Sequence, residues 1–207
     1  GDGNIAIGTT TQAFGDNNLT QGEYAVNYGI DNIVGGAFTN EELVQDRRPI
    51  NTDDAADKSV AMGRANVITG STNAIAIGTS NSIGTTDDVT DSSTITTKNA
   101  ADNAVVLGTG NKTLASDSIV IGQNNNLTAL GENLAEKAIV IGQNSGATGS
   151  SSISVGDNAS AIKTNSIAIG KSATAGSSAN NTTDAIAIGA NASANTATGD
   201  VALGANS

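Results

Sequence analysis

SIAIGKSATA, residues 166–175, holds the pattern from which the chain is built: a branched apolar residue, a small residue, a second branched apolar residue and glycine. IAIG at 167–170 has close copies in IAIG 5–8, VAMG 60–63, IAIG 75–78, VVLG 105–108, IVIG 119–122, IVIG 139–142, ISVG 153–156, IAIG 186–189 and VALG 201–204. Where copies follow one another directly their glycines are 14 or 15 residues apart, and wider spacings hold insertions. Self-similarity at a short fixed period marks a solenoid, whose units are too small to bury a face alone and therefore stack.

Ile167 and Ile169 flank Ala168, and apolar residues at i and i+2 share one face of a strand, not of a helix. After the glycine a weaker alternation follows at the third and fifth positions: Asn81 with Ile83, Asn125 with Leu127, Ala159 with Ala161, Ala173 with Ala175, Ala192 with Ala194. Each coil therefore reads as two short strands joined at a glycine. Stacked coils make two parallel ladders around a thin core, each coil rising about 4.8 Å. The bulky pairs, such as Ile119 with Ile121 and Ile139 with Ile141, are expected to point into the roll, as is Ile169, because burying one such side chain is worth about 1.5–3 kcal/mol. The middle position is occupied by Ala6, Ala61, Ala76, Val106, Val120, Val140, Ser154, Ala168, Ala187 and Ala202. A face turned to water would be polar there, so this row is expected to meet another copy of the chain.

Four aromatic residues among 207, with 25 glycines, suit a narrow all-β rod, not a thick globular core. A net charge of −11 argues against nucleic acid and anionic membranes as partners. With no Cys there is no disulfide framework and no Cys-ligated zinc, and with no His the usual base of Ser or Cys nucleophilic catalysis is missing. No apolar run reaches the 18 or so residues of a membrane span, and the start shows no signal-peptide pattern. The expectation is a protein without active site, cofactor or metal. Asp53, Asp54, Asp87, Asp88 and Asp91 carry calcium-type oxygen ligands, but the glycine-and-aspartate nonapeptide of calcium rolls is missing, and they read as solvated acidic loops.

Along the chain, the first coil is read as Gly3 to Ala13, and residues 14 to 25 lead from it to a disguised copy, VNYG at 26–29. The whole of 1–207 reads as one β-roll domain interrupted by excursions at 35–58, 84–103, 128–137 and 176–184. TNEE at 39–42 has the form of a capping box and predicts one short helix to about Gln45. All four aromatics, Phe14, Tyr24, Tyr28 and Phe38, lie between residues 14 and 38, where they either pack the first excursion onto the roll or form a binding patch. Aromatic and Arg side chains favour protein interfaces. The candidate partner-binding set is therefore Tyr24, Tyr28, Phe38, Arg47, Arg48, Asp87, Asp88 and Asp91. The chain stops at Ser207 in mid-repeat, and it is expected to be a piece of a longer protein.

SIAIGKSATA at 166–175 and AIAIGANASA at 185–194 follow the order Ser or Ala, V/I-A-V/I-G, two variable residues and A/N-x-A. In this the chain resembles the YadA-like head of trimeric autotransporter adhesins. The resemblance covers residues 4–13 and 59–207 well and 25–34 weakly, and 35–58 matches no part of the repeat. It implies a left-handed parallel β-roll, three chains side by side with the middle row as trimer interface, and display on the outer membrane of a bacterium. It also implies attachment to a host surface or matrix protein or to another cell, with any membrane anchor in parts of the parent protein that do not occur here. The hexapeptide-repeat acyltransferases are locally similar, but their six-residue beat and catalytic histidine are missing. A purely structural β-solenoid is the remaining alternative.

Overall fold

The computed structural model of the chain describes residues 1–35, 56–84, 101–127, 136–177 and 182–207. Within them every element is a β-strand, and the strands fall into two compact units, residues 1–110 and 111–207. In the first unit one parallel sheet contains β2 (Gln12–Asp16), β4 (Val26–Ile30), β6 (Val60–Arg64), β8 (Ile75–Thr79) and β10 (Val105–Thr109). The other contains β1 (Ile5–Ile7), β3 (Leu19–Gln21), β5 (Ile33–Val34), β7 (Val67–Ile68) and β9 (Ser82–Ile83). In the second unit the motif strands are β12 (Ile119–Gln123), β14 (Ile139–Gln143), β16 (Ile153–Asp157), β18 (Ile167–Ile169), β20 (Ile186–Ile188) and β22 (Val201–Leu203). Two-residue strands alternate with them: β11 (Lys112–Thr113), β13 (Asn126–Leu127), β15 (Gly146–Ala147), β17 (Ser160–Ala161), β19 (Thr174–Ala175) and β21 (Ser193–Ala194). Each chain turn contributes one strand to each sheet, the arrangement of a parallel β-roll.

Equivalent motif residues pair across successive coils, as in Ile119↔Ile139↔Ile153↔Ile167↔Ile186↔Val201. VNYG is one of these copies, with Val26 opposite Val60 and Gly29 opposite Gly63. The first coil differs from the expectation. IAIG at 5–8 lies in the other sheet, Ile5 opposite Leu19, and the place beside VNYG is taken by QAFG at 12–15, Gln12 opposite Val26 and Gly15 opposite Gly29. The phase is set by a glycine with asparagine three residues on. Gly1 with Asn4 and Gly15 with Asn18 satisfy this, whereas Gly8 is followed by Thr11.

The two faces of the motif strands are the reverse of those expected. From Ala61 to Ala187 the middle residues are wholly buried within one chain, and Ala202 is 8% exposed. They therefore point into the roll and do not form an interface with another copy. Ala6 is exposed, but it belongs to the other sheet. The flanking residues point outward, with Ile141 38% and Ile169 37% exposed. The reason is the cross-section of a coil. Its interior also receives the buried residue five past the glycine and the small residue before the motif, such as Ile68 and Ser59 around Ala61. In three coils a large residue faces a small one across this narrow space, Ala61 with Ile68, Ala76 with Ile83 and Val140 with Ala147, whereas Val120 is paired with Leu127 and Ala168 with Ala175. Two Ile per strand would overfill it.

At the corner between the two strands of a coil stands a column of buried asparagines, Asn18, Asn32, Asn66 and Asn81 in the first unit. Asn66 Nδ2 donates to Asn32 Oδ1 (3.0 Å), to Met62 O (3.1 Å) and to Gly78 O of the next coil (2.9 Å). Its Oδ1 accepts from the amide of Asn81 (3.2 Å) and from Asn81 Nδ2 (2.9 Å). The column thus satisfies backbone groups that the corner takes out of the ladder. In the second unit Asn125 is followed by Ser145, whose hydroxyl donates to Gly156 O (2.9 Å), and then by Ala159, Ala173 and Ala192. At Ala173 and Ala192 the amide turns back to its own motif glycine, Ala173 N to Gly170 O at 3.3 Å and Ala192 N to Gly189 O at 3.2 Å. There the motif strands shorten from five residues to three.

The motif glycine cannot be replaced by a larger residue at this corner. Gly142 has φ 147°, and a Cβ there would overlap the carbonyl oxygen of Gly156 in the next coil.

Candidate interaction surface

The outward residues of the motif strands form two apolar rows on the outside of each unit. In the first unit the third motif position carries Phe14 (50% exposed), Tyr28 (59%), Met62 (45%) and Ile77 (38%), joined in register through successive strand pairs. The rings of Phe14 and Tyr28 lie with centroids 6.2 Å apart and planes tilted by 43°. Beside them the first motif position carries exposed Gln12 and then half-buried Val26, Val60 and Ile75. In the second unit both rows are aliphatic throughout, with Ile119, Ile141, Ile169, Ile188, Val201 and Leu203 exposed. Parallel sheets are ordinarily covered on both faces, and a contiguous exposed apolar strip of this kind marks a surface that binds something.

The coil corners are polar and have a different character. Asn17, Asp31, Asn124, Asn144, Asn158 and Asn191 occupy the left-handed region two residues after the glycine, where a short polar side chain is tolerated best. A second column of such positions precedes each motif strand. There Asn165 Nδ2 donates to Asp184 (2.9 Å). That bond, followed by one from the Thr183 hydroxyl, holds the Asp184 carboxyl below its ordinary pKa. Asp200 is lowered likewise by the Thr196 hydroxyl at 2.7 Å and then by the Thr196 amide. In the same column, where Asn73, Asn103 and Asn165 stand in other coils, the structure places Tyr24. Its φ is 56°, the residue is 53% exposed, and its amide donates to Thr9 O (2.9 Å). A bulky residue in this region is held against a cost of about 1–2 kcal/mol, and the same column also holds Lys58 and Lys137, with φ 54° and 59°.

The candidate partner-binding residues are thus divided. Tyr24 stands at a corner, and Tyr28 stands on the outward row beside Phe14. Phe38, Arg47, Arg48, Asp87, Asp88 and Asp91, the helix expected to run to about Gln45, and Asp53 and Asp54 lie outside the described residues. The outward rows were hidden by the assumption that the larger side chains go inside. Phe14 was hidden as well, because QAFG has neither of the two branched apolar residues, Gln12 and Phe14 standing in their places. Its spacing of 14 residues from VNYG, with Asn18 and Asn32 at matching offsets, is the signal that finds it.

Parallel coils with a glycine column at the corner and a row of apolar residues left outside define a β-roll made of tandem repeats. The model of the YadA head domain repeat (2 copies) matches residues 100–125, 135–159, 161–180 and 183–207. The chain belongs to the YadA head family, the head domains of trimeric autotransporter adhesins. No curated protein matches the chain in sequence.

Proposed function

We propose that the chain is the adhesive head of a bacterial surface protein, displayed outside the outer membrane. Three copies stand side by side as left-handed rolls, each covering the outward first and third rows of its neighbours. The observation that carries this reading is the pair of apolar rows on repeats of an adhesin family: side chains such as Ile141 and Ile188 stay 38% and 40% exposed in a single chain. This replaces the middle row, from Ala61 to Ala202, as the surface between copies. The head works by attachment and not by catalysis. Its ligand is a host surface or matrix protein, or another cell, and no cofactor, nucleic acid or metal takes part. Recognition rests on Tyr24 and on the excursions at 35–58 and 84–103, through Phe38, Arg47, Arg48, Asp87, Asp88 and Asp91. Tyr28 lies instead on the surface between copies. Three copies of each site on one trimer raise avidity, so each site need bind only weakly.

The test is to delete residues 84–103 and bridge the ends with a short turn. Light scattering should give the same trimeric mass as the parent, while attachment to cells and to immobilised matrix proteins is lost. Unchanged attachment refutes the assignment to this excursion, and a monomeric parent at micromolar concentration refutes the assembly.

A further inference from the structure

We propose that Gln12, Phe14, Tyr28 and Met62 form a register key, which locks neighbouring copies of the chain into one axial alignment. The inference rests on the side-by-side assembly proposed above and adds what fixes its stagger.

The second unit leaves the stagger open. Its first row is Ile in five successive motif strands, β12 to β20, and its third row is Ile or Val in the same strands. A neighbour displaced by one coil along such a face meets the same kinds of side chain at the same places and forfeits little beyond an end layer. A repetitive face specifies register weakly for the same reason that a featureless strand does.

The first unit breaks this translational symmetry. Its third row changes at every coil, from phenyl to phenol to thioether to branched aliphatic, at Phe14, Tyr28, Met62 and Ile77. The first row opens on the amide of Gln12, opposite Val26 in the ladder. Phe14 and Tyr28 are in ring contact, so the two aromatic layers act as one ledge. Phe14, Tyr28, Met62 and Ile77 are exposed, between 38% and 59%, and half-buried Leu107 ends the row within the first unit. A copy displaced by one coil would set the Tyr28 hydroxyl against the Met62 thioether and the Gln12 amide against Val26, overfilling one layer and underfilling the next. This is how a single unlike layer specifies alignment in an otherwise uniform interface. The occupant of the ledge is accordingly another copy of this chain.

The test uses the full chain with Ile δ1-methyl labelling. In the parent, a trimeric mass by light scattering should accompany one methyl signal per Ile, because three aligned chains are equivalent. The variant F14L/Y28L/M62L should keep the trimeric mass while its Ile signals split into two or more sets. A trimeric variant with one signal per Ile, or a parent with split signals, overturns the key and leaves the assembly standing; a monomeric parent overturns both. A second measurement does not depend on that variant folding. The chain has two Tyr and no Trp, so in Y24F only Tyr28 emits. Acrylamide should quench it several-fold less than free tyrosine. Unhindered quenching in a trimer would mean that the ledge is open to a different ligand, and the proposal fails.

Discussion

Replacing Asn66 by alanine tests the buried asparagine column and should cost about 2–5 kcal/mol. The side chain is fully buried, and its removal strips Gly78 O of the 2.9 Å bond from Nδ2 and the Asn81 amide of its 3.2 Å acceptor. Each buried backbone group left without a partner costs about 1–3 kcal/mol. The backbone amide of residue 66 keeps its bond to Asn32 Oδ1 (2.9 Å), so the loss does not spread to the preceding coil. Relaxation to the turn seen at Ala173, where the amide bonds Gly170 O, would sacrifice that bond and gains little. Serine should be much milder, about 1 kcal/mol, because one hydroxyl can serve both orphans. The precedent is Ser145, which donates to Gly156 O (2.9 Å) and accepts from the Ala159 amide (3.1 Å). Urea unfolding followed by far-ultraviolet circular dichroism gives the order parent, N66S, N66A. An alanine variant as stable as the parent, or a serine variant as weak as the alanine one, would refute the role of the column.

Val140→Ala should lower unfolding stability by about 2–3 kcal/mol through lost burial and a residual cavity, since Val140 is wholly inside. Ile141→Ala, 38% exposed, should instead shift sedimentation at micromolar concentration toward monomer; the opposite pattern would mean that Ile141 points inward and Val140 outward. Ser154 sits in the same inward row, its hydroxyl buried without a hydrogen-bond partner, so Ser154→Ala should raise stability by about 1 kcal/mol in the same urea assay. A loss of stability there would mean that the hydroxyl is satisfied.

The sequence by itself determined the strand, the coil and the stacking direction. Period-two alternation in IAIG excludes a helix, a 14-residue spacing leaves room for two short strands and two corners, and a glycine in register at each copy demands parallel stacking. It also determined the disguised coil at VNYG, because Gly29, Asn32 and Val34 keep their offsets even where Tyr28 replaces Ile. Only the tertiary structure decided which face of the strand goes inward. Alternation defines two faces but does not rank them, and the rule that large apolar residues are buried fails where the interior is one coil wide. Val140 is wholly inside together with Ala147, while Ile139 is only half-buried and Ile141 is 38% exposed in the single chain. The phase of the first coil was also a tertiary matter. IAIG at 5–8 has the better motif, but Asn4 and Asn18 join the asparagine column only if QAFG supplies the motif strand, and the part-buried hydrogen bonds they make between coils outweigh the local apolar pattern.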